Sequence, residues 1–351
     1  MQRLTPVLRG ISRLFLALSL GASVLSARVA NAAECADNAQ FSACFDANSL
    51  WLPAGPASFL SMPDTRVIKP GELGFGTATE LLHQPVVLRA PSPDRGGRSI
   101  EVLQYALDVS YFLSFGLLRN LEVSMLASLR VRQSGAGAGG IESQSAPALS
   151  HNAVRDPRVG VAYSFDDAIS VQGLGLRLAV DATLPLGVRD PFANERSFVV
   201  MPNATFGFEH RPLRLGAVLG VRLRQSVDFG GVTLGNQGFV ALGVAAAVIP
   251  RWLSLSAEIF GLPSLSDSRS SAESSRVTRA RLFPAEWLAG VHSAFGSEGP
   301  WTLSVAAGSG LPFSSETRES SSGPETNYFT GLTTPDFRSL AIVRFAPVAM
   351  P

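Results

Sequence analysis

Residues 213–224 read Leu-Arg-Leu-Gly-Ala-Val-Leu-Gly-Val-Arg-Leu-Arg, and this stretch decides the fold. Leu213, Leu215, Ala217, Leu219, Val221 and Leu223 hold the odd positions. Arg214, Gly216, Gly220, Arg222 and Arg224 hold the even ones, with Val218 the exception. Successive side chains of a strand point to opposite faces, so a strand sorts this pattern into one apolar and one polar face. A helix would set Arg222 and Arg224 about 200° apart and leave no apolar stripe. The stretch is a strand.

The alternation recurs outward in both directions and predicts about twelve strands. Before the opening stretch they fall near 71–81, 99–115, 121–132, 156–165, 174–186 and 197–209. After it they fall near 236–249, 252–262, 284–295, 300–312 and 334–345. Short turns and longer loops alternate between them. A soluble sandwich has no reason to sort its connections by length. A membrane barrel does, with short periplasmic turns and longer extracellular loops.

Aromatic residues fall at two levels on this topology. Phe115, Phe165, Phe206, Phe208, Trp252, Phe295, Trp301 and Phe345 lie near the turn end. Phe198, Phe229, Phe283, Trp287, Phe313 and Phe337 lie near the loop end. Two aromatic girdles around an apolar band are what lipid interfaces favour. The expectation is an all-β chain: a transmembrane antiparallel up-and-down β-barrel over residues 71–346, with 347–351 a C-terminal tail.

A net charge of +1 gives no reason to expect nucleic acid as a partner, and only 16% of residues are charged. Arg3, Arg9 and Arg13 precede an apolar run, Leu14 to Leu25, and then the small-x-small pattern Ala30-Asn31-Ala32. This reads as a signal peptide over residues 1–32, too short to anchor across ~30 Å of hydrocarbon. Cys35 and Cys44 are the only cysteines. In an oxidising compartment they are expected to pair, closing a short loop that contributes ~2–3 kcal/mol; two idle thiols are the alternative. Residues 33–70 lack periodicity. They are assigned as a periplasmic N-terminal segment carrying that disulfide, with a place inside the barrel left open.

With the strands placed, the chain resembles the N-terminal barrel of outer-membrane protein A-type proteins. It also looks like the transporter-like family associated with meta-pathway phenol degradation. The stretches that carry the likeness are Asp156-Pro157-Arg158-Val159-Gly160-Val161, Asp181-Ala182-Thr183-Leu184-Pro185-Leu186-Gly187 and Thr334-Pro335-Asp336-Phe337-Arg338. The resemblance implies a bacterial outer-membrane location and, as partners, outer-membrane lipid, lipopolysaccharide and the barrel-assembly machinery. Long members of the first group carry a peptidoglycan-binding domain after the barrel; none is expected here.

No catalytic, cofactor or metal site is expected. A Ser–His hydrolase needs nucleophile and base within reach, and His292 and Ser293 would face opposite sides of one strand. His83 and His151 fall in expected loops, and His210 begins a turn. A channel is the leading reading. Eight strands leave a lumen filled by side chains and about sixteen leave an aqueous pore, so twelve imply a narrow or closed one. Arg130, Arg132, Arg158, Arg222, Arg224, Arg338, Glu122, Asp181 and Glu258 are expected to line it. The arginines cluster toward the loop end, which suggests preference for small anionic solutes. The alternative is a non-conducting structural or surface-interaction protein.

Overall fold

The computed structural model describes residues 42–90, 98–137, 149–165, 172–186, 190–195, 197–229, 232–250, 252–265, 268–269, 279–280, 283–295, 300–311 and 334–347. The expected signal peptide, Cys35 and Phe313 lie outside them.

Twelve strands form one closed antiparallel barrel: β1 (Leu73–Ala90), β2 (Arg98–Leu118), β3 (Leu121–Ser134), β4 (Arg158–Ser164), β5 (Leu174–Thr183) and β6 (Val199–His210), then β7 (Leu213–Arg222), β8 (Gln237–Ile249), β9 (Leu253–Gly261), β10 (Ala285–Phe295), β11 (Trp301–Gly310) and β12 (Phe337–Phe345). Each pairs with the next, and β12 returns to β1 from Phe75↔Phe345 to His83↔Phe337. Closure leaves no sheet edge unpaired, the condition for a sheet to sit in lipid.

The faces are inverted relative to a water-soluble protein. Leu215, Leu219, Leu242 and Val305 point outward and are half-exposed, whereas Arg130 and Arg338 point inward with 1% and 0% exposure. At the turn end Phe75, Trp301 and Phe345 pack ring to ring at 5.1–5.7 Å, and Trp252 stands exposed. Phe198, Trp287 and Phe337 stand exposed toward the loop end. These are the two girdle levels.

Three expectations need correction, and a bulge accounts for one. First, β1 and β2 run on past the barrel wall to Ala90 and Arg98, with a register shift between His83 and Val86. The extra residue there lies in β1 and leaves β2 in phase. Leu103 shares a face with Tyr105 by alternation, yet past the wall it is fully buried in a loop-end core with Leu82, Val86 and Val102. Secondly, β3 pairs Leu107↔Arg132 but Asp108↔Arg130, so Val131 is extra. Arg132 consequently faces outward, its guanidinium 5.9 Å from the Tyr105 ring centroid, and does not line the lumen. Thirdly, Phe229 belongs to no girdle: it is fully buried beneath the loops.

A larger correction concerns residues 42–70. They are not a separate periplasmic segment but run through the barrel interior without regular strand or helix. Phe45, Leu60, Met62 and Ile68 are at most 1% exposed. A segment this apolar has nowhere else to bury its side chains once the outer faces are given to lipid.

Candidate functional site: the plugged lumen

The plug enters at the loop end. There Phe45 meets Phe192 and Phe229 edge to face, at 5.3 and 5.4 Å. The β5–β6 loop clasps its backbone: Ala47 N donates to Phe192 O at 2.9 Å, and Phe192 N to Ala43 O at 2.8 Å. Phe192 sits at φ 62°, a left-handed conformation that bulky residues rarely adopt. Its burial and this clasp hold it there.

A belt of buried charge follows. Arg338 forks onto Glu286 at 2.8 and 3.0 Å, pairs with Glu80, and donates to Asn48 Oδ1 at 2.9 Å and Ser49 Oγ at 3.1 Å. Ser49 Oγ donates to Glu286, and Asn48 Nδ2 to Glu80 and Asp108 at 2.6 and 3.2 Å. Arg130 forks onto Asp108 at 2.7 and 3.0 Å, and Arg155 bridges Asp108 and Asp46. Buried charges persist only when paired and hydrogen-bonded. Here side chains of the plug complete the pairing of the wall.

Midway down, two guanidinium groups approach the Trp51 ring, Arg158 at 4.8 Å and Arg222 at 4.6 Å from its centroid. The same arginines hold plug carbonyls: Arg222 Nη2 donates to Ser49 O at 3.0 Å and Arg158 Nη2 to Leu52 O at 3.4 Å. Lower still, Arg344 donates to Pro53 O at 2.9 Å and Ala57 O at 3.4 Å. Phe59 fits where the wall has no side chain. A Cβ on Gly216 would stand 2.7 Å from its ring, and one on Gly243 2.8 Å from it and 2.4 Å from the Met62 methyl.

Glu258 fixes the next turn of the plug. It accepts Leu60 N and Ser61 N at 2.8 Å each and Ser61 Oγ at 2.7 Å. Glu122 accepts Ile68 N at 3.0 Å and pairs with Arg177 at 3.3 Å. Nearby, His292 lies between Ser256 Oγ and Ser304 Oγ, both at 2.8 Å. These serines come from β9 and β11. Considering only its chain neighbour Ser293 missed them.

Of the nine expected lining residues, Arg130, Arg158, Arg222, Arg224, Arg338, Glu122, Asp181 and Glu258 face inward, and Arg132 does not. Arg224 pairs with Glu195 at 2.8 Å, and Asp181 accepts from Asn203 at 3.0 Å. Burial pushes the Glu195 carboxyl above its ordinary range, against the pull of Arg224. Burial would lower Arg155, but Asp46 and Asp108 carry it above its ordinary value. Asn48, Ser49, Trp51 and Arg155 were missed by sequence reasoning. They lie in stretches without period, and only the low charge of 42–70 (Asp46, Asp64, Arg66 and Lys69) hinted at burial.

An outer membrane channel from Pseudomonas putida F1 superposes on this barrel with a TM-score of 0.56 at 13% identity, over 82% of this chain and 99% of that one. What is shared is the fold. A Pseudomonas aeruginosa FadL homologue (TM-score 0.36, 10% identity, 78% and 89% covered) and the translocator domain of the autotransporter NalP from Neisseria meningitidis (0.37, 9%, 78% and 87%) are more distant. No protein-family model matches the chain, and no curated protein matches it in sequence.

Proposed function

We propose that this chain is a bacterial outer-membrane channel for small solutes whose lumen is closed at rest by residues 42–70. One observation carries the reading. The wall does not fill its own lumen: where Phe59 and Met62 sit, it presents Gly216 and Gly243, and a polypeptide that is not part of the sheet takes up the space. About eight strands are filled by their own side chains, and twelve leave space for a plug or a solute. The Pseudomonas putida F1 structure is a channel too, which favours the transporter-like resemblance over the outer-membrane protein A-type one. Export through the signal peptide 1–32, a lipid and lipopolysaccharide surround, and insertion by the barrel-assembly machinery belong to this reading.

Solute charge is not set by the loop-end arginines as a group. Arg130, Arg224 and Arg338 each face a carboxylate, so their fields are largely cancelled where they stand. His292 is read as structural, since both its ring nitrogens are engaged by serine hydroxyls in the plugged lumen.

Single-channel recording on refolded, full-length protein tests the function. The expected record is a mostly closed channel with rare openings to one reproducible level. A silent bilayer for the wild type and for plug-loosening variants would return the protein to a non-conducting structural or surface role.

The Cys35–Cys44 bridge remains part of the proposal. Cys44 is buried, and no cysteine among the described residues is free. Protein exported without reductant is expected to weigh two hydrogens less than its reduced form. Alkylation of both thiols under non-reducing conditions would rule the bridge out.

A further inference from the structure

Beneath the plug, at the turn end, the lumen opens into a cavity of about 510 Å³. That volume is in the range of small-molecule sites. Its walls differ from the rest of the interior in charge. Five cations line it: Arg66, Lys69, Arg211, Arg214 and Arg344. Three carboxylates oppose them, Asp64, Glu72 and Glu209. Five against three leaves a surplus of two positive charges, whereas the belt of buried charge around Arg338 and Arg130 closes on its own carboxylates.

The carboxylates are also partly spent. Arg66 pairs with Asp64 at 2.9 Å, and Arg214 pairs with Glu209 at 2.8 Å. Lys69 and Arg211 form no ion pair among the described residues. Arg344 is 6% exposed, and its Nη atoms are held by the carbonyls of Pro53 and Ala57. Its Nε has no partner among the described residues. Its guanidinium lies 5.1 Å from the Phe112 ring centroid and forms no ion pair among the described residues. On the lumen side the wall also carries apolar groups, Pro56, Ala57, Ala245 and Ala294.

We infer that this cavity is a binding site for a small amphiphilic carboxylate. Its head group accepts from the Arg214 and Lys69 side chains, beside the positive charge of Arg344, and its hydrocarbon body lies against Pro56, Ala57, Ala245 and Ala294. A carboxylate suits a guanidinium edge, and a low-dielectric wall strengthens the attraction. A cation is repelled by the surplus charge, and a bare inorganic anion leaves the apolar wall uncovered. The site stands apart from conduction: a silent channel can bind, and a conducting one can fail to.

Equilibrium dialysis of labelled hexanoate against full-length protein in lipid nanodiscs tests it, with empty discs as blank. Saturable binding is expected, displaced at least tenfold less well by inorganic phosphate and not at all by hexylamine. Arg344→Gln and Arg214→Gln should each weaken binding tenfold or more, and the outward-facing Arg132→Gln should not. Should Arg344→Gln fail to fold, the pair Lys69→Gln plus Arg211→Gln lowers the surplus charge and should weaken hexanoate severalfold. Hexylamine binding as well as hexanoate overturns the assignment, as does unchanged affinity in folded Arg344→Gln or in the Lys69/Arg211 pair. Saturation by phosphate with equal affinity overturns the apolar half.

Discussion

Glu258→Ala is expected to turn a mostly closed barrel into a mostly open one. Glu258 accepts two consecutive backbone N–H groups and one hydroxyl from Leu60 and Ser61. Hydrogen bonds to a charged group contribute roughly 1.5–3 kcal/mol each. Removing the carboxylate also strands two N–H donors in the closed state alone, because in the open state the plug can find water. Even a net change of about 3 kcal/mol shifts a closed–open equilibrium by roughly a hundredfold. The strand itself is not at risk, since β9 keeps its ladders to β8 and β10.

Trp51→Ala works on the same equilibrium from the middle of the plug. Cation–π contacts of desolvated groups contribute roughly 2 kcal/mol or more, and Trp51 has two. The truncated residue also gives up most of a buried indole. In planar bilayers both variants should show open probabilities at least tenfold above wild type, with Glu258→Gln between because it keeps one acceptor. Unchanged gating in both variants, with the barrel folded by gel mobility, would mean the plug is not the gate.

How much of this could be read from the chain follows from where period survives. Strands β1 to β12 were legible because one face meets lipid and the other does not, which writes a two-residue alternation into stretches such as 213–224. Even Val218, the exception there, has a physical reason: it is 1% exposed in the core that includes Trp51 and Phe59. Alternation fails where one extra residue enters. Val131 turned Arg132 outward. The plug was illegible as a plug, because an irregular segment inside a lumen obeys no period. Its carboxylate partners sit far away in sequence, as Ser49 and Glu286 do, so no local pattern links them. Composition alone spoke for it: Phe45, Leu50, Trp51, Leu52, Phe59, Leu60 and Met62 are too many large apolar groups for a solvated segment.

Arg338→Ala is expected to have the largest effect on stability. The side chain is fully buried and joins Glu80, Glu286, Asn48 and Ser49, so it ties β1, β10 and β12 to the plug. Removing one partner of a buried ion cluster costs roughly 3–5 kcal/mol, because the charges left behind have neither water nor counter-ion. Here two carboxylates would be left within one dry cluster, which adds like-charge repulsion. Arg338→Lys keeps the charge but not the fork, and a single ammonium cannot bridge Glu286 with two parallel bonds while reaching Glu80 and Asn48. It should fall between wild type and alanine. If unpaired charge is the cause, Arg338→Met combined with Glu80→Gln and Glu286→Gln should recover most of the loss, although it has fewer native contacts than the single variant. Urea unfolding in lipid vesicles, followed by the heat-sensitive gel mobility of the folded barrel, gives the comparison. A triple variant no more stable than Arg338→Ala would show that Arg338 acts through packing and not through charge.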